Sequence, residues 1–485
     1  MKLMKSLLLG TAAGFAAVAG DQAADLPVRK AAPVEYVRIC SLGGGVFVGY
    51  VVPGTDVCLR VGGFARWQYT AGSSYNTLFN VGSGVYGPRT FVGGATQSGA
   101  YGVRGYGQRF AGQYAVGAVQ LDARTQTEYG LLRSFADIRA DAGFGGGGAF
   151  IDKAWVQLGG FQAGKYQSYF DFYADAFNNI GTLGSDHSVV GAACTAIFGN
   201  FSAAISFEDL NTNWGSPGYF GLGSVLDPAG VPVGGFGYGS AFANTTAGGY
   251  RVPDVVARLL YADSWGQVQL TGALHQLRAS STVWDVNDLG GGNTVVTTTG
   301  EINDDTKYGW AVQGGLKLNV PSFGPGDALY LQAAYTQGAL TYVGAGGTYG
   351  FGKVTQIAYG ADGLPNNSGS IELTTGWNAL AAFQHTFTPT LSAALWGSYT
   401  AIDYGSDVFN GTGTINGAGL TGRDFNYWQV GAQANWSPVK NFTVSGTVNY
   451  VALEASRLAI DSELEVPFKK TSNGVAFAVR VQRDF

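Results

Sequence analysis

Polar and apolar residues alternate with a period of two along much of this chain. In residues 57–69, VCLRVGGFARWQY, Leu59, Val61, Trp67 and Tyr69 share one parity, while Arg60, Arg66 and Gln68 share the other. A period of two is the signature of a strand with two different faces. In 116–129 the polar set is Gln120, Asp122, Arg124, Gln126 and Glu128, opposed by Val119, Leu121, Ala123 and Tyr129. Arg133, Asp137, Arg139 and Asp141 share a parity in 131–141; Lys153 and Gln157 follow in the next strand, and Lys165 in the fifth. Five successive strands carry their polar sets in register.

The pattern predicts sixteen strands, near 57–70, 114–129, 131–141, 150–158, 161–167, 194–198, 201–208, 254–262, 266–278, 307–319, 328–342, 376–387, 391–404, 425–436, 441–454 and 473–485. Their connections alternate in length. One set is short, such as Gly130, Gly159 with Gly160, and Gly199 with Asn200. The other set is mostly long and rich in Gly, Asn, Ser and Thr, around 71–113, 142–149, 168–193, 209–253, 279–306, 343–375, 405–424 and 455–472. An even strand number with short turns at one rim and long loops at the other is the pattern of a closed antiparallel barrel in an outer membrane. Propellers and sandwiches have no reason to keep it. In such a wall the two parities mean lipid and lumen. An arginine facing lipid at mid-bilayer costs about 2–4 kcal/mol, which places Arg60 and Arg66 inward.

Composition agrees. Charged residues are 13% of the chain, and Gly is 77 of 485; these are about half and about twice the usual shares. That suits half-apolar strands joined by Gly-rich loops better than a soluble enzyme. The N-terminus reads as a secretory leader over 1–24. Lys2 and Lys5 form its basic end, 7–18 its apolar core, and the cut falls between about 19 and 24. Losing the two lysines with the leader takes the formal charge from −5 to −7. Residues 25–56, with Pro27, Pro33 and Pro53, read as a periplasmic lead segment, and 57–485 as the barrel. No later apolar run is long enough for a spanning helix.

The organising stretch is 161–194, FQAGKYQSYFDFYADAFNNIGTLGSDHSVVGAAC. Strand-like ends enclose about thirty residues that have no alternation but many aromatics, together with Asp171, Asp175 and Asp186. A long loop in a compact β-domain is functional or disordered, and its aromatics argue against disorder. It is expected to fold into the lumen, with the three aspartates on the loop side of a constriction. Arg60, Arg66, Arg124, Arg133, Arg139, Lys153 and Lys165 are expected on the wall side. The aromatics fall mostly on lipid parity (Trp67, Tyr69, Tyr129) or in loops, which does not favour a sugar-type track along the lumen.

Enzymatic readings lack chemistry. The three histidines, His187, His275 and His385, sit in no hydrolase motif, and the glycine runs 43–45 and 145–148 lack the Lys-Ser/Thr of a phosphate loop. His187 is either a pH-sensitive group or a loop-packing residue. Cys40 and Cys58, 18 apart in an exported chain, point to a disulfide; two unpaired buried thiols are the alternative. Cys194 is left over, as a small apolar residue at a strand end. No Cys/His cluster suggests a metal, and no cofactor is expected. In the last strand Phe477, Val479 and Val481 alternate with polar or small residues up to the terminal Phe485. This ending resembles the signal for insertion of outer-membrane barrels.

The segments EYVRIC (35–40), PGTDVCLRVGG (53–63), YQSYFDFY (166–173), GSDHSVVGA (184–192), IFGNFSAAISFED (197–209), WGQVQLTGALHQLR (265–278), YGWAVQGGLKLNVP (308–321), YWQVGAQANWSPVK (427–440) and RVQRDF (480–485) resemble the alphaproteobacterial outer-membrane porins. The resemblance covers nearly the whole chain after the leader. It implies a 16-stranded barrel with an inward third loop, a Cys40–Cys58 bridge, a homotrimer, and passive diffusion of small hydrophilic solutes and ions. Outer-membrane lipid, lipopolysaccharide and the barrel-assembly machinery are the expected partners, and nucleic acid is not. A sugar-type porin and a non-conducting scaffold or adhesin barrel are the alternative functions.

Overall fold

Side chains that alternate in sequence end on opposite faces of one sheet. The structure is a computed structural model describing residues 38–42, 47–72, 111–143, 147–181, 184–209, 241–247, 251–288, 294–345, 347–349, 358–360, 362–365, 371–405, 424–455 and 471–485. Two short strands, β1 (Ile39–Leu42) and β2 (Phe47–Val51), precede the wall. The wall begins with β3 (Cys58–Gly72), β4 (Ala111–Thr127), β5 (Gly130–Gly143), β6 (Gly148–Leu158), β7 (Phe161–Gln167), β8 (Ser188–Phe198) and β9 (Phe201–Asp209). A short β10 (Ala241–Ala247) pairs with the outer end of β12. The wall continues with β11 (Asp254–Asp263), β12 (Gly266–Asp288), β13 (Thr294–Asn319) and β14 (Ala328–Gln337). Two small hairpins follow, β15 (Gly347–Tyr349) with β16 (Ala358–Gly360) and β17 (Gly363–Pro365) with β18 (Ile371–Leu373). The wall ends with β19 (Thr375–Thr388), β20 (Leu391–Asp403), β21 (Phe425–Val439), β22 (Phe442–Ala455) and β23 (Thr471–Asp484).

Each wall strand pairs antiparallel with its neighbours, and β23 pairs back onto β3 with Arg480 opposite Gln68 and Gln482 opposite Arg66. The sixteen wall strands therefore form a closed barrel. Closure satisfies every edge N–H and C=O, which lipid cannot do. At this strand number the lumen is wide enough to hold water.

The barrel is inside-out relative to a soluble protein. Val61 is 50% exposed and Leu270 53%, while Asp122 is 2% and Gln313 1% exposed. Outward aromatics form a girdle across β13 to β22, where Trp310 meets Tyr335, Trp377 meets Tyr399 and Trp428 meets Tyr450 at centroid distances of 5.5, 5.1 and 5.2 Å. Such girdles sit at the membrane–water interface.

The strands match the alternation closely, with instructive differences. The strand expected over 328–342 stops at Gln337. Gly338 turns the chain at φ 72°, and Leu340–Val343 forms a buried 3-10 turn closed by Gly344 at φ 73°. The connection expected over 279–306 is largely strand, since β12 and β13 run on through it as far as Asp288 opposite Thr294. Strand β8 starts at Ser188, so the loop between β7 and β8 is shorter than expected. Cys40 and Cys58 are bonded, with Cα atoms 5.8 Å apart. Cys194 is exposed and lies within β8 opposite Phe161, not at a strand end. The leader, and the lead segment up to residue 37, lie outside the described residues.

Candidate pore constriction

The inward loop, residues 168–187, is closed at its neck by Ser168 N–H donating to the His187 carbonyl at 2.8 Å. Glu208 of β9 supports the neck, accepting from Ser168 Oγ at 2.7 Å and from Tyr169 N–H at 3.1 Å. Beyond the neck, inward side chains of five strands hold the loop. Gln269 of β12 donates to the Asp171 carbonyl at 3.0 Å, and Gln313 of β13 to the Phe170 carbonyl at 2.6 Å. Gln332 of β14 accepts from Tyr173 N–H at 3.0 Å, and Gln433 of β21 accepts from Asn179 N–H at 2.8 Å. Arg480 of β23 donates to Asn179 Oδ1 at 2.6 Å and to its carbonyl at 3.2 Å. An amide side chain supplies donor or acceptor as needed, so glutamines can fix an irregular backbone that has no strand partner.

Aromatic packing seals the loop to that wall. Phe170 is fully buried against Tyr342 of the 3-10 turn, with centroids 4.5 Å apart. Tyr173, Phe177 and Tyr330 form an edge-to-face trio at 5.2–5.9 Å. Phe172 fits over Gly315, where an added Cβ would stand 2.4 Å from its ring. Ala174 and Asp175 take positive φ of 42° and 55° to turn the loop tip; such a turn costs non-glycine residues energy and persists where packing imposes it.

The expected loop carboxylates divide. Asp171 is buried in the neck, where it accepts from Gln167 Nε2, from Ser185 Oγ and from His187 N–H. Asp186 accepts from Gln167 Nε2 at 2.8 Å, and burial followed by the neighbouring Asp171 charge raises its pKa. His187 is buried; burial opposes its charge, but Asp171 outweighs this and raises its pKa. Asp175 lies at the turn of the tip, where its carbonyl accepts from Asn178 N–H at 3.3 Å.

Across the lumen, the wall charges also sort. Arg60, Arg124 and Arg133 converge on Asp122 at 3.4, 2.8 and 2.8 Å. Arg139 bridges Asp137 and Asp152, both at 2.8 Å. Arg66 donates to Gln482 Oε1 at 2.7 Å. Lys153 stands opposite Asp137 on the same inward face. Lys165 does not join this wall. It pairs between Ala154 and Val190 on the outward parity of β7, and its Nζ donates to the Ile151 carbonyl at 2.8 Å. The parity is set by Tyr166, which buries inward and meets Ser206 Oγ at 2.9 Å.

Aromatics also enter the lumen, contrary to the parity reading. Phe47 lies under Arg124 and Arg60 at 3.9 and 4.9 Å, Phe64 under Arg66 and Arg139 at 4.5 and 5.4 Å, and Trp155 under Arg133 at 4.5 Å. Guanidinium faces cover these rings, which orders the basic wall. The pattern missed the glutamine anchors and Arg480. Their shared inward parity was the available signal, but it carries no mark of which residue meets a loop.

A closed barrel with an apolar exterior, a polar interior and one connection folded across its lumen is an outer-membrane pore. The chain belongs to the porin subfamily, whose family model matches residues 25–476. It is 29% identical over 422 residues to porin Omp2b of Brucella suis, covering 79% of this chain and 100% of that protein. It is 28% identical over 421 residues to porin Omp2b of Brucella melitensis, covering 79% and 99%. Among solved structures, the outer membrane channel DcaP of Acinetobacter baumannii shares the fold with a TM-score of 0.56 at 13% identity, over 90% of this chain and 99% of that one. The protein is thus a multi-pass barrel of a Gram-negative outer membrane that conducts small hydrophilic molecules and ions by passive diffusion. Its family is one of channels rather than enzymes.

Proposed function

We propose that solutes pass between the tip of the inward loop and the basic wall of β3 to β6, and that this gap filters by size and charge. The anchoring of residues 170–179 to β12, β13, β14, β21 and β23 carries this reading, because it presses the loop to one side of the lumen. The wall side comprises Arg60, Arg66, Arg124, Arg133, Arg139 and Lys153; Asp175 stands at the loop tip. Asp171 and Asp186 act on the neck, which keeps the tip in place. Charges facing each other across a narrow water-filled gap orient polar solutes and tune ion preference.

The same reading includes a homotrimer. Small residues on the outward parity of β4 to β7, among them Gly117, Ala136, Ala154 and Ala163, support close subunit packing there, whereas the aromatic girdle occupies β13 to β22. Lipid and lipopolysaccharide surround the remaining outer face. Phe477, Val479, Val481 and Phe485 serve recognition by the barrel-assembly machinery, and residues 1–24 leave on export. Single-channel recording of the refolded mature protein tests the pore. Conductance steps in groups of three from an otherwise steady open state are expected, and a folded barrel without conductance would point to a scaffold or adhesin instead.

A further inference from the structure

Two of the lumen arginines on β23 and β3 to β5 stand apart from the others. Arg60, Arg124 and Arg133 share Asp122, and Arg139 holds Asp137 and Asp152. Arg66 and Arg480 sit diagonally across the strand pair that closes the barrel, Arg66 opposite Gln482 and Arg480 opposite Gln68. Among the described residues, no carboxylate lies within ion-pair distance of either. Their acceptors are mostly amides. Arg66 Nε donates to Gln482 Oε1 at 2.7 Å, and Arg480 Nε donates to Gln68 Oε1 at 2.7 Å. The Arg480 Nη atoms reach Asn179 of the loop, and Tyr114 of β4 also bonds this guanidinium. An amide oxygen orients a guanidinium but does not cancel its charge. Phe64, 4.5 Å beneath Arg66, supports its plane.

The neck carboxylates of the loop are turned away from this pair. Asp171 is turned into the neck, and Asp186 is bonded to Gln167 there. From the loop, Arg480 is met by the Asn179 amide and backbone carbonyl. Asp484 lies beyond Gln482, accepting from its Nε2 at 2.7 Å, and acts on Arg66 only at that remove. Two guanidinium charges without a carboxylate in direct contact, among the described residues, therefore stand together beside the anchored loop.

We propose that Arg66 and Arg480 form an anion subsite at the constriction, so that the channel prefers small carboxylates and phosphates to cations. This rests on the diffusion reading and names its preferred solute class. A guanidinium presents a planar fork that matches carboxylate and phosphate oxygens, and Arg66 uses only its Nε in the described hydrogen bonds. The formal charge of −5 for the whole chain points the other way, but selection follows the local field at the narrowest point.

The test is the reversal potential of the full-length mature barrel in a planar bilayer, under gradients of potassium chloride, potassium acetate and potassium phosphate. The wild type is expected to favour each anion over potassium. The double variant R66Q/R480Q is expected to lose at least about threefold in anion-to-cation permeability ratio, while R66K/R480K keeps the chloride preference and loses part of the preference for acetate and phosphate. Should the double variant misfold, R66Q alone gives the same reading, because it surrenders one described hydrogen bond. A cation-preferring wild type, or an unchanged ratio in a conducting R66Q variant, would overturn the subsite and leave the diffusion pore standing. A folded barrel with no conductance would overturn both.

Discussion

The Asp171 carboxylate accepts a hydrogen bond from the backbone N–H of His187 at 2.6 Å, joining the two ends of the inward loop. Ser185 Oγ and Gln167 Nε2 complete its shell. Buried hydrogen bonds to a charged group each contribute about 1.5–3 kcal/mol. Asp171→Asn should therefore loosen the neck by roughly 2–4 kcal/mol, allowing for partial replacement by the amide. Frequent brief closures around an unchanged open conductance are expected in single-channel records. A quiet trace would refute the neck role.

Acid should seat the loops more firmly. His187 titrates above its usual value, because Asp171 outweighs burial. Its charged form thus contributes stability that is complete below about pH 6.5 and is lost as pH rises through its folded value. Asp186 is raised by burial and then by Asp171, and burial pushes Asp362, which accepts from Leu340 N–H at the 3-10 turn, up to about 6. A raised carboxyl favours its neutral form in the fold, so stability falls as pH climbs from about 4 through the folded value. All three act in one direction. Closures should be rarer at about pH 5.5 than at about pH 8, and His187→Gln should flatten the part of the profile above about pH 6.5. Closure frequency measured across this range decides.

Asp122 neutralises one of three arginines and orders all of them. Its side chain is 3% exposed, while those of Arg124 and Arg133 are 20% and 24% exposed. Removing one partner of a buried ion pair costs about 3–5 kcal/mol; water reaching these arginines reduces that to roughly 2 kcal/mol. Asp122→Asn should lower the midpoint of heat modification and raise the anion-to-cation permeability ratio. Unchanged selectivity would show that this cluster lies away from the ion path.

The Cys40–Cys58 bond ties β1 and β2 to the start of β3 and keeps Phe47 beneath Arg60 and Arg124. A crosslink of this span, 18 residues, is worth about 3 kcal/mol in chain entropy. Cys40→Ser should free the hairpin while the closed wall stays folded. Larger conductance with a lowered heat-modification midpoint is expected, and reductant should reproduce both in the wild type.

Lys165 provides a control for the wall. Because its side chain lies on the outward parity of β7, Lys165→Gln should leave the reversal potential unchanged. A shift comparable to that of a lumen arginine would mean that β7 is registered differently.

The wall was legible because lipid leaves a spanning strand little choice. Any residue of one parity meets hydrocarbon, so Val61, Trp67 and Tyr69 had to face out and Arg60, Arg66 and Gln68 in, and an even number of such strands must close. Legibility failed where the local pattern was balanced. In β7, Gln162 and Lys165 are polar on opposite parities, and an irregularity between Asp137 and Ile138 leaves Asp152 as an extra residue in β6. Only the burial of Tyr166 against Ser206 decided which way β7 faces.

The constriction divides in the same way. The sequence alone placed a rigid, aromatic, acidic loop between two wall strands, since its composition resists both disorder and strand pairing. It could not tell that Asp171 turns back to His187, because that depends on how the neck closes. Nor could it pair Arg480 with Gln68, 412 positions away, or set Asn179 against the pair. Alternation is a property of neighbours in the chain, and it determined the barrel. Which inward charges meet which partners is set by contacts across the lumen, and only the closed tertiary structure decided those.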